Sequence, residues 1–238
     1  MSQELSVSVW RSETNAFQEF AVPGQDNQTI LDVVSWIQAN SDPTLSYRFA
    51  CRVGMCGSCA MMVNGEPRWT CRTHVKKVLK SNSLQIAPLR NLPVVKDLAT
   101  DMDPFFDKWV DAKGVFVGKK TRHDPMEPIS PEAPERIVAS AAIECINCAV
   151  CYAACDSVSG NANYLGPAAL NRAWSLVNDV RDGAYEERLE AVSGTGGCHN
   201  CHSQGGCAKY CPNELNPTAS IAGLKKTTSR NWFGWGRS

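Results

Sequence analysis

The sequence has no surplus of charge of either sign and no long apolar run. Lysine plus arginine and aspartate plus glutamate both number 24 among 238 residues. This balance removes the electrostatic basis for nucleic-acid binding, which requires an excess of cations. The longest apolar run, Ile137 to Ile146, is interrupted by Ser140 and Glu144 and is too short to cross a bilayer. We therefore expect no nucleic-acid partner and no membrane span in this chain.

The first residues also lack the features of a secretory signal. Met1 to Leu5 shows no basic stretch, apolar run or small-residue cleavage site. We therefore expect a reducing compartment, in which cysteine thiols stay free to bind metal. No repeat that would indicate a solenoid is present either.

What the sequence has in quantity is cysteine, with twelve among 238 residues. This density is above ordinary usage but below that of a small scaffold held by disulfides. The spacing of the cysteines must therefore indicate their role.

Local patterns predict a small mixed domain at the start of the chain. Apolar residues that alternate with polar ones predict a strand over Leu5–Val9, and Phe17–Val22 is its expected hairpin partner. Thr29 and Asp32 resemble a capping box and predict a helix over about 30 to 39. Asn64-Gly65 is a strong hairpin signal. Leu84 and Ile86 are expected to complete the sheet.

Further along, the pattern becomes helical. We predict a helix around Phe105 and Trp109, and others over Ala168–Val180, Tyr185–Val192 and Pro217–Lys226. The boundary is drawn near residue 103, which gives two domains, 1–103 and 104–238.

The first cysteine group has a spacing of four residues, then two, then a distant fourth, which is the plant-type ferredoxin pattern for a 2Fe-2S cluster. Its members are Cys51, Cys56, Cys59 and Cys71. Gly54 and Gly57 allow the backbone to approach the cluster closely. A zinc site is the alternative, although zinc ligands usually form two short-spaced pairs.

The second group begins with the bacterial ferredoxin run, Cys-x2-Cys-x2-Cys-x3-Cys, in which the fourth cysteine binds the other cluster. On this pattern a 4Fe-4S cluster is bound by Cys145, Cys148, Cys151 and Cys211. The remaining site is bound by Cys155, Cys201 and Cys207.

That remaining site is one thiol short of four. Gln204 stands where a regular run has cysteine, and three thiolates suit a 3Fe-4S cluster. Cys198 leaves an alternative open, because twelve cysteines would supply three fully ligated sites. We favour the 3Fe-4S cluster, with Cys198 as a thiol outside it.

Four segments in order carry a resemblance that covers nearly the whole chain: SYRFACRVGMCGSCAM, ECINCAVCYAAC, YLGPAAL and CHSQGGCAKYCPNELNP. Together they resemble the iron-sulfur subunit of succinate dehydrogenases and fumarate reductases, the succinate:quinone oxidoreductases. The resemblance implies an α+β protein, with an N-terminal β-grasp plant-type ferredoxin domain before an all-α bacterial-type one.

The resemblance also implies partners and a function in respiratory electron transport. In that family this subunit lies between an FAD-bearing flavoprotein subunit and a membrane anchor near which quinone binds. The clusters conduct electrons in the order 2Fe-2S, 4Fe-4S, 3Fe-4S. The implied location is peripheral, on the cytoplasmic or matrix face of an energy-transducing membrane. No acid-base or nucleophilic constellation stands outside the cysteine groups, so we expect no catalytic residue here and substrate chemistry on the partner.

Two residues match family positions beside the quinone, His202 and Lys225, and both can donate hydrogen bonds to a carbonyl that gains charge. Asp156 and Gly160 depart from the family pattern, where proline and a quinone-contacting tryptophan are usual. The C-terminal tail 225–238 combines aromatic and basic residues and suits a membrane interface or an anchor subunit.

Three other functions remain open. They are a freely diffusing ferredoxin, a zinc-stabilised interaction module, and the iron-sulfur subunit of another flavin dehydrogenase, such as one that reduces fumarate with thiols.

Overall fold

The structure is a computed structural model that describes residues 4–140 and 142–232. It divides into two compact units, Met1–Met102 with Ile146–Ala154, and Asp103–Cys145 with Cys155–Ser238. The domain boundary near residue 103 stays a prediction, since a unit of packing need not be a domain. The short segment Ile146–Ala154, which the sequence assigned to the second domain, nevertheless packs with the first unit.

Short strands and helices follow one another along the chain. The strands are β1 Glu4–Arg11, β2 Ala16–Pro23, β3 Ala60–Val63, β4 Glu66–Trp69, β5 Ser83–Ala87, β6 Val94–Lys96 and β7 Ala99–Thr100. The helices are α1 Ile30–Asn40, α2 Val75–Val78, α3 Asp103–Asp111, α4 Pro134–Ser140, α5 Val150–Ala153, α6 Asp156–Gly160, α7 Gly166–Val177, α8 Tyr185–Ser193, α9 Gly206–Lys209 and α10 Pro217–Trp232.

A mixed sheet forms the centre of the first unit, in the order β2-β1-β5-β3-β4. The β1–β2 hairpin is confirmed, with Leu5 opposite Val22. β1 and β5 are parallel, and the other pairs are antiparallel. Alternate residues of β1 are buried, as the period of a half-buried strand requires. β5, which contains Leu84 and Ile86, completes the sheet as predicted, and it does so as the central strand between β1 and β3.

The helix α1 begins where the capping box predicted it. The Thr29 hydroxyl accepts a hydrogen bond from the Asp32 amide at 3.2 Å, and the Asp32 carboxylate accepts one from the Thr29 amide at 2.9 Å. Its apolar residues, among them Val33 and Ile37, belong to the same core as the inward residues of β1 and β5.

The Asn64-Gly65 turn joins β3 to β4, as predicted. Both residues have positive φ, 51° and 81°, which suits the tight hairpin turn. The Asn64 amide group also donates to the Val78 carbonyl at 2.6 Å and accepts from the Gln85 amide at 2.8 Å. One side chain thus connects the turn to α2 and β5.

The second unit is built around α7, most of whose residues are buried. α7 ends at Val177, three residues before its predicted end, and the side-chain amide of the next residue, Asn178, donates to the Trp174 carbonyl at 2.7 Å. α10 continues past its predicted end to Trp232, and within this extension the Thr228 hydroxyl donates to the Leu224 carbonyl at 2.9 Å. α8 ends before Gly194, as predicted.

A buried ion pair and one close helix approach stabilise this unit. Arg188 donates from one nitrogen to both carboxylate oxygens of Asp182 at 2.8 Å, and both side chains are essentially buried. At Gly223 a Cβ would overlap the Trp174 ring, so glycine lets α10 approach α7. Within 103–140, 142–145 and 155–232 the structure describes helices and no strand beyond an isolated bridge. None of the helices described is long and apolar enough to cross a membrane.

Candidate metal centres

The loop around the first cysteines aims backbone amides at sulfur. The Cys51 sulfur accepts from the amides of Met55 at 3.2 Å and Val53 at 3.4 Å, and the Cys56 sulfur accepts from the Cys51 amide at 3.5 Å. The loop turns tightly enough for this because Gly54 has φ of 78°. Amides in this position stabilise a negatively charged sulfur.

The four thiols of this loop fall into one interacting group. The Ser58 hydroxyl, with the amides of Cys51 and Ser58, lowers the pKa of Cys56 to about 6. Burial, followed by a hydrogen bond with Cys59 and the charges of Cys59 and Cys51, raises the pKa of Cys71 to about 12. The group therefore combines an exposed thiol of lowered pKa, Cys56, with a buried thiol of raised pKa, Cys71.

Both glycines of the loop are required by close contacts. A Cβ on Gly54 would lie 2.9 Å from the Trp69 ring, and a Cβ on Gly57 would lie 2.7 Å from the Cβ of Cys148. Gly57 also has a φ of 72°. The loop thus packs directly on one of the cysteines predicted for the second cluster.

That cysteine lies in the segment Ile146–Ala154. Asn147 and Ala149, on either side of Cys148, have left-handed φ of 57° and 58°. The end of the segment is held by side chains of the same unit, since Arg90 donates to the Ala153 carbonyl at 3.1 Å and Asn91 to the Tyr152 carbonyl at 2.9 Å. The backbone around Cys148 is therefore fixed in a conformation that few residues adopt freely.

The two other cysteines predicted for this cluster, Cys145 and Cys211, lie in the second unit. There the Asn213 amide group donates to the Glu144 carbonyl at 2.5 Å. This bond joins the chain just before Cys145 to the chain just after Cys211. The full set of four ligands stays a prediction.

The three cysteines predicted for the third cluster interact with one another. Burial and the charge of Cys201 raise the pKa of Cys155, while burial and the charges of Cys155 and Cys201 raise the pKa of Cys207. The Cys201 sulfur accepts from the Ser203 amide at 3.4 Å, and the Cys207 sulfur contacts the Thr218 hydroxyl at 3.3 Å. The sulfurs of Cys201 and Cys207 therefore each lie within hydrogen-bonding distance of a polar group.

Tyr164 lies among these three thiols, which the sequence did not predict. Burial and then the charges of Cys201, Cys155 and Cys207 raise the pKa of its phenol. Its hydroxyl interacts with the Cys201 sulfur. No partner among the described residues meets the geometry of a full hydrogen bond with it.

Cys198 contacts α10. It is fully buried, and its sulfur lies 3.7 Å from the Thr228 hydroxyl of α10. Burial and, to a smaller extent, the charge of Cys201 raise the pKa of Cys198, and the hydrogen bond with Thr228 and the charge of Lys225 oppose that rise. Cys198 thus interacts both with α10 and with Cys201.

The two predicted quinone-proximal residues differ in their surroundings. His202 is exposed, whereas the Lys225 ammonium is half-buried and donates to the Cys201 carbonyl at 2.6 Å. His199, which the sequence analysis missed, contacts the Thr228 hydroxyl at 2.9 Å and stacks on Trp232 with ring centroids 5.8 Å apart. Thr228 and Trp232 are four residues apart and so lie on the same face of α10. This spacing is the sequence signal that could have indicated a contact with that face. Of the tail, residues 233–238 lie outside the described residues.

Comparisons with known proteins identify iron-sulfur families along the chain. A family model described as a 2Fe-2S iron-sulfur cluster binding domain matches residues 6–107, and one described as a 4Fe-4S dicluster domain matches residues 144–216. The fumarate reductase iron-sulfur subunit of Haemophilus influenzae is 30% identical, over 97% of this chain and 95% of the relative. That of Mycobacterium tuberculosis is 32% identical, over 98% and 97%.

The chain belongs to the family of fumarate reductase and succinate dehydrogenase iron-sulfur subunits. The mitochondrial succinate dehydrogenase [ubiquinone] iron-sulfur subunit 1 of Oryza sativa subsp. japonica is also similar, at 35% identity over 83% of this chain and 70% of that protein. The resemblance read from the sequence is thereby confirmed, and so is an iron-sulfur electron-transfer role in an oxidoreductase complex. The zinc interpretation of the first cysteine group is replaced by iron-sulfur binding.

The fold of this iron-sulfur subunit is also found in a solved structure. The Mycobacterium smegmatis Sdh1 complex in the apo form contains a chain that matches with a TM-score of 0.87 at 24% identity, over 98% of both chains. Sequence identity at this level supports the shared fold alone.

The residues of the iron-sulfur subunit fit the clusters that its family binds. Among the residues described, no three His, Cys, Asp or Glu side chains are arranged to hold a single metal ion. The cysteine sulfurs of a cluster surround several iron and sulfide atoms, so they need not converge on one point. The amides aimed at Cys51 and Cys201, and the unpartnered Tyr164 hydroxyl, are donors suited to a sulfur-rich anion.

Proposed function

We propose that this chain passes electrons between the FAD of a flavoprotein subunit and membrane quinone, within a membrane-bound succinate dehydrogenase or fumarate reductase. The observation that carries the proposal is the division of the thiols into separate interacting groups. Two of these groups have backbone amides directed at their sulfurs. Each group is suited to hold one cluster, and the groups together to form a chain of carriers.

The first carrier is a 2Fe-2S cluster held by Cys51, Cys56, Cys59 and Cys71. The interactions among these four thiols support it. The sheet order β2-β1-β5-β3-β4, with α1 packed on the core, supports a β-grasp plant-type ferredoxin domain.

The second carrier is a 4Fe-4S cluster, and its ligands are Cys145, Cys148, Cys151 and Cys211. The left-handed backbone on both sides of Cys148 supports this assignment, because a loop around a cluster must turn sharply. The contact of Gly57 with Cys148 supports a short route from the first carrier to the second.

The third carrier is a 3Fe-4S cluster held by Cys155, Cys201 and Cys207. Their mutual electrostatic effects support it. Cys198 is kept outside the cluster because it stands three residues before Cys201, whereas a regular run has its next cysteine three residues after, where Gln204 stands. Eleven of the twelve cysteines then have a ligand role.

Bound clusters would supply one-electron carriers, and the residues of this chain tune and insulate them. Thiolates hold the iron, amide and hydroxyl donors stabilise the added negative charge, and burial excludes water. No residue of the chain needs to break a bond in the substrate. Succinate and fumarate are interconverted on the flavoprotein partner.

The quinone end is assigned to the third cluster and its surroundings. His202 is exposed next to Cys201 and can donate a hydrogen bond to a quinone carbonyl. Lys225 bonds the Cys201 carbonyl and adds positive charge near the same thiol. An integral anchor subunit would hold this peripheral chain at the cytoplasmic or matrix face of the membrane.

The order of carriers can be tested with Cys201→Ser in the purified complex. We expect succinate-to-quinone electron transfer to be lost, while reduction of a dye that accepts electrons at the flavin is retained. Cys198→Ser is the matched control and should keep both activities. The 2Fe-2S signal in the same sample reports whether the variant complex assembled. Equal loss of both activities in an assembled complex would contradict the proposed order.

A further inference from the structure

Tyr164 is a buried residue whose polar group has no partner. It lies two residues before α7, its exposed fraction is 1%, and no partner among the residues described meets the geometry of a full hydrogen bond with its hydroxyl. A buried hydroxyl without a partner costs free energy, so native proteins rarely keep one without a reason. The hydroxyl interacts with the Cys201 sulfur without completing a hydrogen bond, so its partner is to be sought in that thiol and the group it binds.

The backbone holds Tyr164 firmly against the segment that carries Cys201. The Tyr164 amide donates to the Asn161 carbonyl at 3.0 Å, and the Leu165 amide donates to the Gly196 carbonyl at 2.8 Å. A Cβ on Gly196 would overlap the Asn163 carbonyl oxygen. The two segments thus lie in direct backbone contact, and the position of the phenol is fixed from both sides.

The neighbours of the phenol are the three thiols of the proposed third cluster. The charges of Cys201, Cys155 and Cys207 all act on it, and the hydroxyl lies beside the Cys201 sulfur. An aromatic side chain with one donor hydrogen therefore borders the space that these thiols enclose.

We propose that the Tyr164 hydroxyl donates a hydrogen bond to sulfur of the 3Fe-4S cluster, on the side of Cys201, and thereby raises the reduction potential of that cluster. The inference rests on the proposed function, since it requires the cluster. Reduction adds one negative charge to the cluster, and a donor in a buried site stabilises the more negative state. Tyr164 is thus a residue that tunes the last carrier before quinone.

The test is Tyr164→Phe, which removes one oxygen atom and keeps the ring. The reduction potential of each cluster is measured by a redox titration of the purified complex, followed by electron paramagnetic resonance. We expect the oxidised-to-reduced ratio of the 3Fe-4S cluster at a fixed potential to rise on the order of tenfold, about 59 mV for one electron. The 2Fe-2S potential should stay unchanged.

Tyr47→Phe is the matched control. It removes the same atom from the first unit, where the Tyr47 hydroxyl bonds the Ser35 hydroxyl at 3.1 Å. The 3Fe-4S potential should not change in this variant. A shift of equal size in both variants would show a general effect of losing a tyrosine hydroxyl and would overturn the inference.

The outcomes separate this inference from the function on which it rests. A wild-type complex without an oxidised 3Fe-4S signal would refute the proposed function. An intact signal with an unchanged potential in Tyr164→Phe would refute the role of Tyr164 alone.

A second measurement applies if Tyr164→Phe fails to load the cluster. Fluorinated tyrosine, whose phenol is a stronger donor, is then incorporated into the wild-type chain. The 3Fe-4S potential should rise in that complex, and an unchanged potential would overturn the inference.

Discussion

Replacing Cys198 with alanine should leave the third cluster in place, whereas the same change at Cys207 should remove it. Cys198 is fully buried and contacts the Thr228 hydroxyl at 3.7 Å. Alanine deletes one buried sulfur atom, which costs about 1 kcal/mol, as for a small core truncation. Thr228 keeps its bonds to the Leu224 carbonyl and to His199, both at 2.9 Å. We therefore expect a modest loss of stability and no loss of iron.

Cys207→Ala, by contrast, deletes one of three proposed thiolate ligands. Disturbing a group that only supports a ligand already lowers metal affinity by about 10–100-fold, so removal of the ligand itself should exceed that range. The assay is the number of oxidised 3Fe-4S spins per flavin in the purified complex, with the 2Fe-2S signal as internal standard. Loss of the signal in Cys198→Ala as complete as in Cys207→Ala would refute the assignment of eleven ligands.

Two further predictions concern the surrounding structure. Arg188→Met leaves a buried carboxylate unpaired and should destabilise the second unit by about 3–5 kcal/mol, whereas Arg181→Met breaks an exposed pair and should cost less than about 1 kcal/mol. Hydrogen exchange of the complex would measure both, and similar protection would contradict the reasoning. Gly57→Ala forces a Cβ against Cys148 and should reduce the 2Fe-2S and 4Fe-4S signals, whereas Gly160→Ala, with open space around it, should reduce neither. Unchanged 2Fe-2S and 4Fe-4S signals in both variants would contradict this prediction, because they would show that the loop around Gly57 can accommodate a Cβ.

Much of the first unit could be predicted because its signals are local. The Thr29–Asp32 capping box and the Asn64-Gly65 turn each bring together residues that are close in sequence, and both behave as expected. The packing of Ile146–Ala154 with this unit depends instead on Arg90 and Asn91, about sixty residues away. Arg90 and Asn91 belong to no sequence motif or periodic pattern that would predict these hydrogen bonds.

The site shows the same division between local and distant signals. Cysteine spacing predicted which thiols to group, because ferredoxin ligands follow fixed intervals along the chain. The partners of those thiols were missed, since Tyr164 reaches Cys201 only through the fold, and His199 meets Thr228 from 29 positions away. Lys225 was expected beside quinone, but its bond to the Cys201 carbonyl depends on how α10 packs.

Electron paramagnetic resonance of the complex purified from its membrane tests the central claim most directly. The account predicts an oxidised 3Fe-4S signal of about one spin per flavin, together with a 2Fe-2S signal that appears when succinate is added. An oxidised complex without a 3Fe-4S signal, in a preparation that still oxidises succinate, would contradict the three-cluster account and return Cys198 to the set of ligands.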